Sequence, residues 1–173
     1  MFFRDATRVL ASGGRVVMVE PAITWLSSVF YRALHPEPVR TSVEILLDGD
    51  PDPRDPYDAN QAIPTLLVTR DQERFHAEFP ELRITRVDWF SFAAYPLSGG
   101  FRPWSLISDK LATRLLRIER AIEPAIGWLA AFRMLVVIEK STGRGVAAKR
   151  LAFFPAWSRH HWFFAALLPQ PIG

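Results

Sequence analysis

Residues 8–21 constrain the fold of this chain more than any other segment. A short helical lead-in ends at Gly13-Gly14, and an unbroken apolar run from Val16 to Val19 precedes Glu20 and Pro21. An apolar run without alternation is typical of a strand covered on both faces, as in a parallel sheet between two layers of helices. Open α/β sheets bind their ligands at the carboxyl ends of such strands. The segment therefore predicts an α/β fold in which Glu20 lies at a binding edge.

Periodicity in the rest of the chain predicts that residues 1–140 form one α/β domain. Apolar residues recur at helical or strand spacing, and proline and glycine clusters separate the segments. We expect strands over 15–19, 82–92 and 133–140, a turn-rich loop over 95–103, and helices over 2–10, 22–34, 69–79 and 108–132. The strand over 133–140 is as apolar as the first, and the strand over 82–92 alternates with one break in phase.

Two of the helices carry specific expectations. Phe75 and Phe79 lie four residues apart and should share the buried face of the helix over 69–79. Ser108 should cap the last helix, and Pro124 should kink it or split it in two. The apolar stripe of that helix comprises Leu111, Leu115, Ile118, Ile122, Ile126 and Leu129.

Composition excludes several classes of function. The chain has 173 residues and no Cys, so disulfides, thiolate nucleophiles and thiolate metal sites are excluded. No apolar segment reaches the roughly 18 residues that a transmembrane helix needs. Arg4 and Asp5 interrupt any signal-peptide core within the first five residues, so we expect a cytoplasmic protein.

The charge is unevenly distributed along the chain. Residues 1–140 carry 17 Lys and Arg against 18 Asp and Glu, whereas residues 141–173 carry four cations and no acidic residue. We predict that residues 141–173 are a basic, aromatic tail with little order. A tail of this composition is compatible with an anionic membrane surface. We expect no nucleic-acid partner.

The sequence offers no persuasive metal site. The acidic loop over 48–58 has the aspartate density of a calcium loop, but its prolines and the lack of the required glutamate exclude an EF-hand. His160 and His161 are adjacent, so their side chains point apart and make a poor ligand pair. A solvated loop and a solvated tail are the better interpretations.

The opening segment resembles part of a known family. Its Arg8-Val-Leu-x-x-Gly-Gly lead-in to an apolar strand ending in Glu20-Pro21 is similar to the segment around the fifth strand of class I S-adenosylmethionine-dependent methyltransferases. The usual form there is Leu-x-Pro-Gly-Gly, and Ser12 replaces the proline here. The resemblance implies a partial Rossmann-like sheet of about three strands with flanking helices, whose last strand lies antiparallel between the other two.

The same resemblance implies that the chain lacks the cofactor site of the family. Its S-adenosylmethionine site is built on the first four strands, and no strand with a following Gly-rich loop and helix is found here. We therefore expect an incomplete methyltransferase domain that carries only the acceptor-side elements. It would bind the cofactor weakly or not at all by itself. The acceptor would be a small molecule or a lipid-like compound.

Six residues are candidates for that acceptor site. Glu20 and His35 are the candidate catalytic residues, because a carboxylate or an imidazole can orient the acceptor or take its proton. The alternative for Glu20 is a cap for the next helix, and the alternative for His35 is a turn residue at a helix end. The candidate substrate-binding residues are Tyr31, Glu37, Trp89 and Tyr95, although Trp89 is core by default.

Two other functions remain open from the sequence. The chain is also compatible with a non-enzymatic interaction module that pairs or oligomerises through an exposed edge of its first strand. It is further compatible with a membrane-surface protein that binds through the basic, aromatic tail.

Overall fold

The protein was studied as a computed structural model that describes residues 2–34, 38–46, 60–100 and 103–141. His35, Glu37, the acidic loop over 48–58 and the tail from 142 onward, including His160 and His161, lie outside the described residues. The elements in chain order are α1 (Phe2–Val9), β1 (Arg15–Pro21), α2 (Trp25–Leu34), α3 (Ile63–Val68), α4 (Gln72–Glu78), β2 (Leu82–Phe90), α5 (Ala94–Leu97), α6 (Asp109–Ala130) and β3 (Arg133–Lys140).

The three strands form one open sheet in the order β1-β3-β2. β3 is antiparallel to both neighbours, so β1 and β2 run parallel to each other on either side of it. The fold is therefore mixed α/β, and the expected position and direction of the last strand are confirmed. Gly13, which has a φ of 77°, closes the turn before β1, and its N–H donates to the Lys140 carbonyl at the end of β3 (2.8 Å).

The prediction that β1 is buried on both faces is wrong. Val17 and Val19 are 61% and 51% exposed, whereas Val16 and Met18 pack against the core from the other face. β3 alternates in the same way, with Met134, Val136 and Ile138 fully buried and the intervening residues half-buried. Among the described residues, one face of the sheet is covered and the other is open. The apolar run of β1 therefore contributes side chains to both a buried and an exposed face.

The hydrophobic core lies between this covered face and helices α1, α3 and α4. Phe75 and Phe79 of α4 are buried as predicted, and the Phe3 ring of α1 lies 4.9 Å from the Phe75 ring. The break in phase expected in the second strand is a register shift between Ile84 and Arg86, which brings Val87 and Trp89 back to the core face.

Helix α6 forms as one element within the expected range. Ser108 caps it as predicted, accepting a hydrogen bond from the Leu111 N–H (3.4 Å), and Pro124 lies inside the helix of 22 residues without splitting it in two. The stripe from Leu111 to Leu129 is largely exposed, and the buried residues of the helix are Glu119, Gly127 and Ala130. No helix in the described part of the chain is long and apolar enough to cross a membrane.

Glu119 explains how α6 is oriented. Its carboxylate is 4% exposed and accepts hydrogen bonds from the backbone N–H groups of Phe92 (3.0 Å) and Ala94 (2.7 Å). The Phe92 amide lies in the turn between β2 and α5, where Ser91 has a φ of 62°, and the Ala94 amide begins α5. This short helix occupies the start of the loop expected over 95–103. The carboxylate therefore ties α6 to the end of β2.

Replacing Glu119 with alanine should strongly destabilise the fold. Two buried amide donors would lose their partner, and the expected loss in the free energy of unfolding is about 2 to 5 kcal/mol. Glu119→Gln keeps one acceptor oxygen and should fall between the native chain and Glu119→Ala. Urea unfolding measures all three, with the exposed Arg120→Ala as control. Equal stability of Glu119→Ala and the control would contradict this role.

Candidate functional site

A polar cluster lies where the parallel strands β1 and β2 end and β3 begins. Glu20 and Pro21 end β1, and in the sheet they pair with Met134 and Arg133 of β3. Phe90, the last residue of β2, pairs with Arg133 from the other side. The carboxyl ends of parallel strands are the usual ligand edge of open α/β sheets. This edge therefore provides the candidate site.

Arg133 joins the two tyrosines of the cluster. Its guanidinium carbon lies 5.8 Å from the centre of the Tyr95 ring, a cation–π distance, and its Nη2 donates to the Val19 carbonyl (3.1 Å). The Tyr31 hydroxyl donates to the carbonyl of Phe132, the residue before Arg133 (3.0 Å). The Phe132 ring lies 6.0 Å from the Tyr31 ring and 5.9 Å from the Tyr95 ring.

The surroundings of Tyr31 keep its hydroxyl protonated. Burial is the main cause that raises the pKa of Tyr31 above its usual range, and the neighbouring Tyr95 raises it further, while Arg133 lowers it in part. The side chain is only 1% exposed. Tyr31 is therefore a buried hydrogen-bond donor that anchors α2 to the start of β3, and it is a poor proton acceptor.

Glu20 differs from Tyr31 in being half-buried at the open end of the cluster. By strand alternation it follows Val16 and Met18 on the core face, which removes part of its hydration. Burial raises the pKa of the Glu20 carboxyl, and the charge of Arg133 acts in the opposite direction. A carboxylate with a raised pKa is a better proton acceptor than an exposed one.

The arrangement can bind a polar group and exchange a proton with it. Arg133 carries a guanidinium, a group suited to a carboxylate or a phosphate, and the half-buried Tyr95 places its aromatic ring beside it. Glu20 can accept a hydrogen bond or a proton from a hydroxyl or an amine. The cluster thus fits a small ligand that carries both a hydrogen-bond donor and an anionic or aromatic group.

The structure brings together three of the six predicted site residues. Tyr31 and Tyr95 lie beside Arg133, and Glu20 is near enough for the charge of Arg133 to lower its pKa, whereas His35 and Glu37 lie outside the described residues. Trp89 pairs with Met134 on the core face and packs against the core. A Cβ on Gly127 would lie only 2.9 Å from the Trp89 carbonyl oxygen, so α6 approaches the strand closely there.

Arg133 is the residue that sequence reasoning missed. It stands at the start of an apolar strand, where a lone arginine is an ordinary edge residue. Only the strand register, which pairs it with Pro21 on one side and Phe90 on the other, brings it to the ligand edge. The expected antiparallel position of the last strand was the one signal that could have located it.

Two other titratable groups, His76 and Arg70, have structural roles. The His76 imidazole accepts a hydrogen bond from the Ile84 N–H (3.3 Å), and its pKa is lowered by burial and then by Arg83. Arg70 pairs with Asp71 and donates to the Thr41 and Val43 carbonyls. No group of three or more acidic or histidine ligands suited to a metal ion occurs in the described ranges.

Comparison with known proteins identifies no relative. No family model, curated protein or solved structure matches the chain.

The partial burial of Glu20 predicts a specific pH behaviour. A raised native pKa means that the native state holds the proton more tightly than the unfolded chain, so ionising Glu20 lowers stability as the pH rises. Glu20→Gln should therefore be more stable than the native chain near neutral pH, and the difference should disappear below the normal range of glutamate. Urea unfolding across this pH range measures the effect.

A second variant tests the role assigned to Arg133. Arg133→Gln removes the charge that lowers the pKa of Glu20, so the Glu20 pKa, followed by carboxyl carbon NMR, should rise further. Arg83→Gln, at an exposed position on β2, is the control. An unchanged or lower Glu20 pKa in Arg133→Gln would contradict the electrostatic link between the two residues.

Proposed function

We propose that residues 2–141 are the acceptor-side part of a methyltransferase-like α/β domain. In the parent reaction of that family, a methyl group passes from S-adenosylmethionine to an acceptor. In this proposal the acceptor is a small molecule or a lipid-like compound, and the cluster around Arg133 binds its polar group.

Strand topology is the observation that carries the proposal. The order β1-β3-β2, with β3 antiparallel between two parallel strands, is the arrangement that the resemblance implies for the last three strands of the sheet. The Gly13-Gly14 turn also supports it, because its hydrogen bonds with Lys140 tie the lead-in of β1 to the end of β3. In this proposal the three strands are part of a Rossmann-like sheet. The open edge of β1 is then the edge at which the other strands of such a sheet would pair.

The polar cluster supports the acceptor side in particular. Glu20, Tyr95 and Arg133 all lie at the carboxyl edge of the parallel pair, where ligands bind in open α/β sheets. Glu20 would orient a hydroxyl or an amine and take its proton, and Arg133 would bind an anionic substituent of the same molecule. These roles need no residue outside the described part of the chain.

The described residues do not fit S-adenosylmethionine itself. Gly13-Gly14 precedes a strand, and its backbone groups are bonded to Lys140 and Ala11. Gly99 and Gly100 follow the short helix α5, and a Cβ on Gly100 would lie 3.0 Å from the Tyr95 ring. Neither pair forms the turn between a strand and a helix that binds a nucleoside cofactor.

A second candidate function is a module that pairs through the edge of β1. Lys140 N–H donates to the Gly14 carbonyl and Ala22 N–H donates to the Phe132 carbonyl, so even-numbered residues of β1 bond to β3. The backbone groups of Arg15 and Val17 then face outward. The exposed Val17 and Val19 side chains lie beside this edge, and an open edge of this kind is suited to strand addition.

Titration of the full chain with S-adenosylmethionine tests the first candidate. We expect no binding at micromolar concentrations, because the residues that would hold the cofactor have no counterpart in the described ranges. Micromolar binding in isothermal titration would contradict the acceptor-side assignment. Light scattering on the same sample separates the candidates, since a stable dimer that Val17→Pro dissociates would favour the strand-pairing module.

A further inference from the structure

The proposed function does not use the exposed side of α2 and α6. The two helices contact each other and present a continuous apolar surface, which we call the α2–α6 face. Ile118 of α6 and Val29 of α2 are each 59% exposed on it. The face comprises Trp25, Leu26, Val29, Leu111, Leu115, Ile118, Ile122, Ile126 and Leu129.

A groove of about 730 Å³ runs along this face between α2, α5 and α6. Its walls are formed by aliphatic side chains, and Phe92 and Phe132 are also among its lining residues. Among the described residues that line the groove, Glu119 is the one that can ionise. Its carboxylate already accepts two backbone hydrogen bonds. An occupant of the groove must therefore be apolar.

A row of cations runs beside the apolar row of α6. Three residues of the apolar row, Leu111, Leu115 and Ile118, are each directly preceded in the sequence by a cation, namely Lys110, Arg114 and Arg117. Both rows therefore have the same spacing, four residues and then three. All three cations are exposed. The acidic residues of the helix lie elsewhere: Asp109 at its first position, Glu119 buried and Glu123 half-buried.

Two exposed tryptophans lie on the same two helices. Trp25 begins α2 and is 59% exposed, and Trp128, in the last turn of α6, is 41% exposed. An aromatic residue with one polar atom is favoured at the boundary between hydrocarbon and water. The face therefore combines an apolar row, a flanking cationic row and exposed indole rings.

We propose that the α2–α6 face binds the surface of an anionic lipid membrane. Helix α6, with 22 residues, is about 33 Å long and would lie in the plane of the interface. Its apolar row would enter the acyl boundary while Lys110, Arg114 and Arg117 meet lipid phosphates. The proposal does not rest on methyl transfer, and it gives no role to Glu20, Tyr31, Tyr95 or Arg133.

Two observations favour a membrane over a small ligand or a protein partner. The apolar row continues from Leu111 to Leu129, about 27 Å along the helix, which exceeds what a small ligand needs. The occupant must also be apolar on one side and anionic beside it, over the whole length of the cationic row. An anionic bilayer surface offers both properties at once.

Vesicle co-sedimentation of the full chain tests the proposal. The probes are phosphatidylcholine vesicles with and without phosphatidylserine, and the variants are Arg114→Gln/Arg117→Gln and Ile118→Gln. We expect binding to the anionic vesicles, with a loss of about fivefold for each cation removed. For Ile118→Gln we expect a loss of about tenfold.

Matched controls separate this face from the rest of the chain. Arg83→Gln removes an exposed cation from β2, and Val9→Gln removes an exposed valine from α1. Both should bind like the native chain, and far-ultraviolet circular dichroism confirms that every variant is folded. Because all variants retain residues 142–173, equal binding by all of them would assign membrane affinity to the tail and overturn the proposal.

Two other outcomes would also overturn it. One is equal binding to vesicles with and without phosphatidylserine, because the cationic row would then have no role. The other is a dimer in light scattering that Ile118→Gln dissociates while anionic vesicles bind nothing, because a second copy would then cover the face.

Discussion

The central position of β3 is the constraint on which the rest of the structure depends. β3 is antiparallel to both β1 and β2, so the hydrogen bonds of the sheet converge on one strand that comes last among the described elements. The same arrangement brings Arg133 between the ends of the two parallel strands. Without β3, β1 and β2 would have no common partner, and Glu20, Tyr95 and Tyr31 would have no guanidinium between them.

A second consequence concerns how the helices are attached to the sheet. α1, α3 and α4 cover one face of the sheet, whereas α6 is held by the buried Glu119 and by its close approach to Trp89 at Gly127. That attachment turns the apolar row of α6 away from the core. The fold therefore separates two functional surfaces, a polar ligand edge around Arg133 and the apolar α2–α6 face.

Sequence periodicity predicted which segments form helices and strands, but it predicted poorly which of their faces are buried. It identified α4 through Phe75 and Phe79 and located the irregularity of β2, because both depend on neighbouring residues. It failed for β1 and for the stripe of α6, since the same apolar spacing serves a buried surface and an exposed one. Pro124 is tolerated because it and Arg120, whose carbonyl loses its helical donor, are exposed to solvent. Arg133 and Glu119 gain their roles from partners distant in sequence.

Amide hydrogen exchange along β1 tests the central role of β3 most directly. If β3 is the hydrogen-bond partner of β1 and the outer edge is open, the Val16, Met18 and Glu20 amides should be protected. The Val17 and Val19 amides should exchange quickly in the same sample. Fast exchange at Val16 and Met18, or equal protection at Val17 and Val19, would contradict this account of the fold.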